Sequence, residues 1–303
     1  MLIECVPNFS EGRDLARVAE IQTTIARVSG IELLHSTSDP DHNRTVITFA
    51  GDRAGVIEAA VRAARKAAEL IDLNAHRGVH PRVGALDVLP FVPLRRATMD
   101  DCVQIAREAG GRIWSELGIP VFFYQAAATR ADRVQLENIR RGQFEGLREA
   151  VLVDENRRPD VGGPALHPTA GAVIAGARKL LIAWNVNLKT TDLEVAKSIA
   201  RRIRASSGGF PAVKALGLPL DSRGMVQVSM NLTDFEKMPM HAVYSEICRM
   251  AEARGVEIAA SELIGLIPRA ALEAAAAGLM KLSHFHSRRV LENCLDATTV
   301  PSA

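Results

Sequence analysis

The sequence predicts an α+β protein of two ferredoxin-like (split βαβ) α/β subdomains packed together, with helices on the sheet faces. Two observations predict it. Strand-like and helix-like segments recur in the order β-α-β-β-α-β in each half of the 303 residues. A Gly- and Pro-rich stretch, NRRPDVGGPALHPTAGAVIAGARK, marks a seam near 150–178. The subdomains are expected over 1–178 and 179–303.

In the first half, LIECVPN at 2–8 reads as a strand. Val18, Ile21, Ile25 and Val28 then recur at helical spacing, and Gly30 ends that helix. Strands are expected at 31–36 and 44–50, with Ser38-Asp39-Pro40-Asp41 as the turn between them. Val56, Ala60, Ala64, Ala67 and Ile71 share one face of a helix over 54–72. A long loop leads to a strand at 85–94. Thr98 and Asp101 stand at capping-box spacing before the next helix, which Gly118 closes. VFFYQ at 121–125 is a strand.

In the second half, strands are expected at 180–186, 213–219 and 225–231, with a last one starting at VEIAAS. A helix capped at Thr191 carries Glu194 three residues on and buries Val195, Ile199 and Ile203. Another, over 239–254, buries Met240, Val243, Ile247 and Met250. Pro268 opens an Ala-rich terminal helix.

Composition narrows the function. Apolar residues make up 48% and charged residues 24%, as in globular proteins. Lys plus Arg number 37 against 35 Asp plus Glu, so the formal charge of +2 calls for no polyanionic partner. Aromatics at 4% leave little for stacking single-stranded nucleic acid. No apolar run is long enough to span a bilayer. The opening MLIECVPNFSEG has no basic start, and Cys5, Cys102, Cys248 and Cys294 form no CxxC pair. A cytoplasmic protein with reduced thiols, bound to neither nucleic acid nor membrane, is expected.

Familiar signatures fail on inspection. GAVIAG at 171–176 is followed by Ala177-Arg178, not by Lys-Ser/Thr, and is no phosphate loop. The Asp39–Asn43 string lacks the glycine and glutamate of a calcium loop. His76 and His80 are four apart, but Gly78 and Pro81 argue against a helix across them, so no metal site is expected. His284 and His286 are expected to face solvent.

Two polar clusters remain, each entering a strand: Asp39-Pro40-Asp41-His42-Asn43-Arg44, and the run from His76 to Asp87. Histidine, arginine, asparagine and aspartate presented from loops at strand ends are the material of an acid–base site. The Gly/Pro seam suits either a linker or a ligand-binding loop.

The ordered strings CVPNFSEG at 5–12, NRTV at 43–46, HPRVGALDV at 80–88, AGARK at 175–179 with NVN at 185–187, and SELIGLIP at 261–268 resemble the formiminotransferase domain of formiminotransferase-cyclodeaminase. The resemblance runs from about residue 2 to about residue 282 and includes no cyclodeaminase domain. It implies transfer of a formimidoyl group from N-formimidoyl-L-glutamate to N5 of tetrahydrofolate, a step of histidine breakdown. It also implies two α/β subdomains with folate between them, a homodimer, and a separate cyclodeaminase to process the product. The family's catalytic histidine falls on His80. Its folate-binding stretch falls on Gly162, Gly163, Pro164, Ala165, Leu166, His167, Pro168, Thr169, Ala170 and Gly171. Familiar members often carry Glu before that histidine. Val79 stands there in this chain, so His80 is expected to titrate lower.

The chemistry suits these residue types. Amine attack on an amidine carbon needs a base for the N5 proton and an acid for the departing glutamate nitrogen. One histidine titrating near neutrality serves both. Both substrates are carboxylates, so Arg44 and Arg82 are expected anchors. Asn8, His42 and Asn43 are expected to orient the amidine. Tetrahydrofolate is then a substrate, not a resident cofactor. Two alternatives stay open: formyl transfer between glutamate and 5-formyltetrahydrofolate, and a non-catalytic folate- or small-ligand-binding module.

Overall fold

The computed structural model describes residues 1–293. Cys294, the fourth of the expected free thiols, lies outside them. Two compact units are present, Met1–Leu180 and a second beginning at Leu181.

The first unit runs β1 (Ile3–Cys5), β2 (Asn8–Phe9), α1 (Leu15–Ala26), β3 (Ile31–Asp39), β4 (Arg44–Gly51), α2 (Arg53–Leu70) and β5 (Leu86–Pro93). It continues with α3 (Met99–Leu117), β6 (Val121–Gln125), α4 (Leu136–Ile139), α5 (Gln143–Val153) and β7 (Val173–Ala177). β1 and β2 lie between β4 and β5, and β3 pairs with the far side of β4. All these pairings are antiparallel, which is the split βαβ order. β7 and β6 then extend the sheet in parallel beyond β5.

The single strand expected over 2–8 is two short ones. Pro7 has no N–H to give a ladder, and a proline in a central strand interrupts it. β3 runs on to Asp39, beyond the expected end at 36. Ser38 pairs with Thr45 across the strands, their hydroxyls 2.8 Å apart, and this carries the ladder into the expected turn. The chain reverses over Pro40–Asn43 instead. The seam holds a larger correction. Its last part is β7, buried along all five residues between β5 and β6. A parallel strand covered on both faces shows no polar alternation, so its sequence reads as featureless.

α1, α2 and α3 pack on one face of this sheet. Asp14 caps α1 through Ala16 N and Arg17 N. The expected Thr98–Asp101 capping box opens α3. Ala59, Ala60, Ala63, Ala64 and Ala67 of α2 are buried. Phe9, Phe49 and Phe91 fill the layer beneath the helices, and each is fully buried. Burial of a side chain that size contributes about 1.5–3 kcal/mol.

The second unit runs β8 (Ile182–Leu188), α6 (Leu193–Ile203), β9 (Val213–Leu220), β10 (Met225–Leu232), α7 (Met240–Glu252), β11 (Ile258–Ile264) and α8 (Arg269–Leu279). Its sheet order is β11-β8-β10-β9, antiparallel throughout, again the split βαβ arrangement. The cap of α6 falls one residue later than expected, because the Asp192 carboxylate, not the Thr191 hydroxyl, accepts from Glu194 N. Cys5 and Cys102 are buried and Cys248 is half-buried, all unpaired. His284 and His286 are exposed. Among the described residues, no helix is long and apolar enough to cross a membrane.

Candidate active site

The two polar clusters meet in the first unit. Val79 N donates to Asp41 O at 3.1 Å, and Asn43 Nδ2 donates to Arg77 O at 3.0 Å. Gly78 lies against the His42 carbonyl so closely that a Cβ there would stand 2.3 Å from that oxygen. Only glycine admits the approach. The result sets the His42 and His80 rings 5.7 Å apart between centroids, tilted by 34°.

His80 is half-buried, and its Nδ1 lies 2.8 Å from the Pro81 carbonyl oxygen. A carbonyl only accepts, so Nδ1 carries the proton. In the neutral ring Nε2 then keeps its lone pair. Burial pushes the His80 pKa well below the usual histidine value, and the charges of Arg44, Arg140 and His42 add to that. The causes are burial and positive neighbours. An imidazole held neutral with its Nε2 lone pair intact has the form that a general base needs at neutral pH.

Beside it, Arg44 reaches a carboxylate that the strand pairing has turned inward. Asn8 pairs with Val88 while Phe9 pairs with Leu86, so Asp87 is the extra residue of a β-bulge. Its side chain is fully buried and accepts from Arg44 Nη1 at 2.7 Å, from Val83 N at 2.8 Å and from Arg140 Nη2. Burial opposes its ionisation, yet Arg140 and Arg44 outweigh burial and hold the carboxyl below its usual range. Arg44 also donates from Nε and Nη2 to Asn8 Oδ1, at 3.2 and 3.0 Å. Asn8 Nδ2 in turn donates to Val6 O.

Arg82 is buried and fully engaged. Nη1 and Nη2 hold the two Glu145 oxygens at 2.8 and 2.6 Å, and Nε donates to His76 Nδ1 at 3.1 Å. The Arg82 guanidinium draws the Glu145 pKa down to about 2. These groups line a cavity of about 370 Å³ together with Asn74, Arg77, Gly78 and Arg148.

The stretch at 162–171 is knitted into the first unit. Gly162 sits on the Trp114 indole, where a Cβ would come within 2.4 Å of the ring. Gly162, Gly163, Pro164 and Ala165 are exposed. From Leu166 onward the chain turns inward. His167 Nδ1 accepts from Ala170 N at 3.0 Å. Pro168 O accepts from the Asn74 side chain and Thr169 O from Leu73 N. Ala85 N donates to Ala170 O and Ala172 N to Val83 O, beside the His80 loop. Gly171, at φ 69°, bridges to Gly84. The 166–171 part is therefore not a free linker.

The N-terminal subdomain of the formiminotransferase domain matches residues 2–178, and the formiminotransferase domain proper matches 183–291. The chain belongs to the formiminotransferase family. A glutamate formimidoyltransferase of Thermoplasma acidophilum is 47% identical over 298 residues, 97% of each chain. One from Streptococcus pyogenes serotype M1 is 43% identical, over 97% of this chain and 98% of that one. The formimidoyltransferase-cyclodeaminase of Sus scrofa is 43% identical over 97% of this chain, which spans 56% of it.

Sequence reasoning missed Arg140 and Glu145 in this formiminotransferase. Arg140 closes α4, 53 residues from the Asp87 it bonds, and no local pattern marks it. His76 is a rejected metal ligand and a member of the second polar cluster in the sequence, with no role of its own. The signal available for it was its place inside the second polar cluster. Among the described residues, no three His, Cys, Asp or Glu side chains gather as metal ligands.

Proposed function

We propose that this protein transfers the formimidoyl group from N-formimidoyl-L-glutamate to N5 of tetrahydrofolate, giving 5-formimidoyltetrahydrofolate and glutamate. Family membership and whole-length similarity to glutamate formimidoyltransferases support the reaction class. The observation that carries the mechanism is the His80 ring, neutral, with Nδ1–H on Pro81 O and Nε2 unprotonated.

N5 attacks the amidine carbon while His80 Nε2 takes the N5 proton. The tetrahedral intermediate collapses as the carbon–nitrogen bond to glutamate breaks, and His80 returns the same proton to the leaving amine. His42, Asn8 and Asn43 orient the amidine. Arg44 and Arg82 attract substrate carboxylates. The bidentate grip of Arg82 on Glu145 is the geometry a substrate carboxylate would adopt in the adjoining cavity. The pteridine acceptor lies along 162–171, a reading supported by the bonding of that stretch to the backbone beside His80.

Partners and place follow from the same reading. The enzyme acts in the cytoplasm, consistent with its unpaired thiols. It forms a homodimer, a reading supported by the exposed Leu272, Leu279, Met280 and Leu282 in and just after α8. A separate cyclodeaminase consumes the product, as the fused relatives suggest.

The test is incubation with tetrahydrofolate and either N-formimidoyl- or N-formyl-L-glutamate, following the folate absorbance. Turnover with the formimidoyl donor is expected. Turnover with the formyl donor alone would replace the amidine by the amide, and none with either would leave a binding protein. His80→Ala should lower turnover by roughly 10²–10⁴-fold with the fold intact.

A further inference from the structure

His76 is buried and takes part in no step above, yet both of its ring nitrogens are bonded. Nδ1 lies 3.1 Å from Arg82 Nε, a group that only donates, so Nδ1 must be the unprotonated nitrogen. Nε2 lies 2.9 Å from the Asn43 carbonyl oxygen, which only accepts, so Nε2 must carry the proton. The two neighbours demand the same neutral tautomer. It is the opposite of the one His80 adopts against Pro81.

The carbonyl that His76 holds belongs to a residue in an unusual conformation. Asn43 has φ 47°, in the left-handed region that asparagine tolerates better than most residues. Its side chain is tied at both ends, accepting from Gly12 N at 3.0 Å and donating to Arg77 O. The His76 bond ties the remaining backbone acceptor. Left-handed backbone persists only where its surroundings over-determine it. Asn43 stands between His42, whose ring faces His80, and Arg44, which holds Asp87 and Asn8.

We propose that His76 is a positioning residue for the proton transfer: fixed by Arg82 as the Nε2–H tautomer, it holds Asn43 left-handed and so seats His42 and Arg44 around His80. The inference rests on the acid–base reading of His80. Glu145 and Arg82 are the outer members of the chain, Glu145 orienting the guanidinium and the guanidinium orienting the ring. Protonation of His76 would set two donors and two cations face to face at Arg82. Arg13 opposes that protonation as well, and Glu11 favours it. Arg77 and Arg148, in the wall of the same cavity, add positive charge.

The test compares His76→Leu, His76→Gln and His80→Ala in the full-length protein. The amide of Gln spans the same acceptor–donor pair as Nδ1 and Nε2. His76→Leu should lower kcat by roughly 10–100-fold, the scale on which small misplacements act. Because Arg44 and Arg82 also hold carboxylates in this reading, the KM values should rise as well, but by less than kcat falls. His76→Gln should restore most of kcat. Nitrogen-15 spectra of the wild type should show His76 protonated at Nε2 alone at pH 7, a readout independent of activity. Wild-type kcat in His76→Leu, no recovery in His76→Gln, or a proton on Nδ1 overturns the inference. If His76→Leu fails to fold, the Gln variant and the spectrum decide. Full activity in His80→Ala sinks the acid–base reading instead. An inactive His80→Ala beside an active His76→Leu sinks this inference alone.

Discussion

Arg44 donates from Nη1 to the buried Asp87 carboxylate at 2.7 Å, across 43 residues of sequence. The contact joins the strand that follows His42 to the strand that follows His80. Arg140 meets the same carboxylate, so one anion is shared by two guanidinia. The site is thus positively charged around His80 while its charged groups are paired. Burial first, and that positive charge second, keep the imidazole neutral.

Asp87→Asn removes the shared anion and leaves two cations side by side, Arg44 buried and Arg140 half-buried. Breaking a buried pair by deleting one partner costs about 3–5 kcal/mol. Urea unfolding should show a loss of that size. The acid limb of the pH–rate profile should also move to lower pH, because His80 then faces uncompensated charge. A stability loss under about 1 kcal/mol would count against the pairing.

Val79→Glu places a carboxylate beside His80, which favours imidazolium. The native His80 pKa lies well below the usual value, so activity should be lost only as pH falls through that depressed value. In the variant the acid limb of kcat/KM should move upward, and activity at pH 6 should fall. An unmoved limb would assign that limb to another group.

Arg82→Lys keeps the charge but not the fork. An ammonium cannot grip both Glu145 oxygens and His76 Nδ1 together. Losing a charge-assisted bond, about 1.5–3 kcal/mol, corresponds to a roughly 10–150-fold drop in kcat/KM for a carboxylate substrate. Arg44→Lys should also lower stability, since Nε and Nη2 serve Asn8 while Nη1 serves Asp87. If either variant changes unfolding and leaves both KM values alone, that arginine is a brace and not an anchor.

Saturating tetrahydrofolate should slow amide exchange at Gly162, Gly163 and Ala165, which are exposed. Amides such as Ala170 and Gly171 are already bonded to His167 and should change less. Equal exchange with and without folate would remove the stretch from the acceptor seat.

Acid should destabilise the protein below the ordinary histidine range. His76, His80 and His167 all have lowered pKa values, with burial the first cause of each. Between those values and about 6.5 the unfolded chain binds more protons than the folded one, so stability rises with pH there. Tm should be level above pH 7 and fall toward pH 5. His76→Gln should flatten part of the slope. A Tm that rises on acidification would contradict all three shifts.

Much of this molecule was legible in the order of its residues. The helix faces of α1 and α2, the capping box at Thr98 and the double β-α-β-β-α-β order rest on spacings of a few residues. Local periodicity expresses those directly. His42, Asn43, Arg44, His80 and Arg82 were legible because turn-rich segments cluster polar residues next to one another. The family strings set the expectation of formimidoyl transfer. Contacts across long stretches of chain carry no such signature. The bulge that turns Asp87 inward, the arrival of Arg140 from α4, the burial of β7 and the opposite tautomers of His76 and His80 depend on which backbone groups and side chains face each other after the sheet closes. Only tertiary structure decides those, because the donors and acceptors that choose a histidine's tautomer come from segments the sequence does not place side by side.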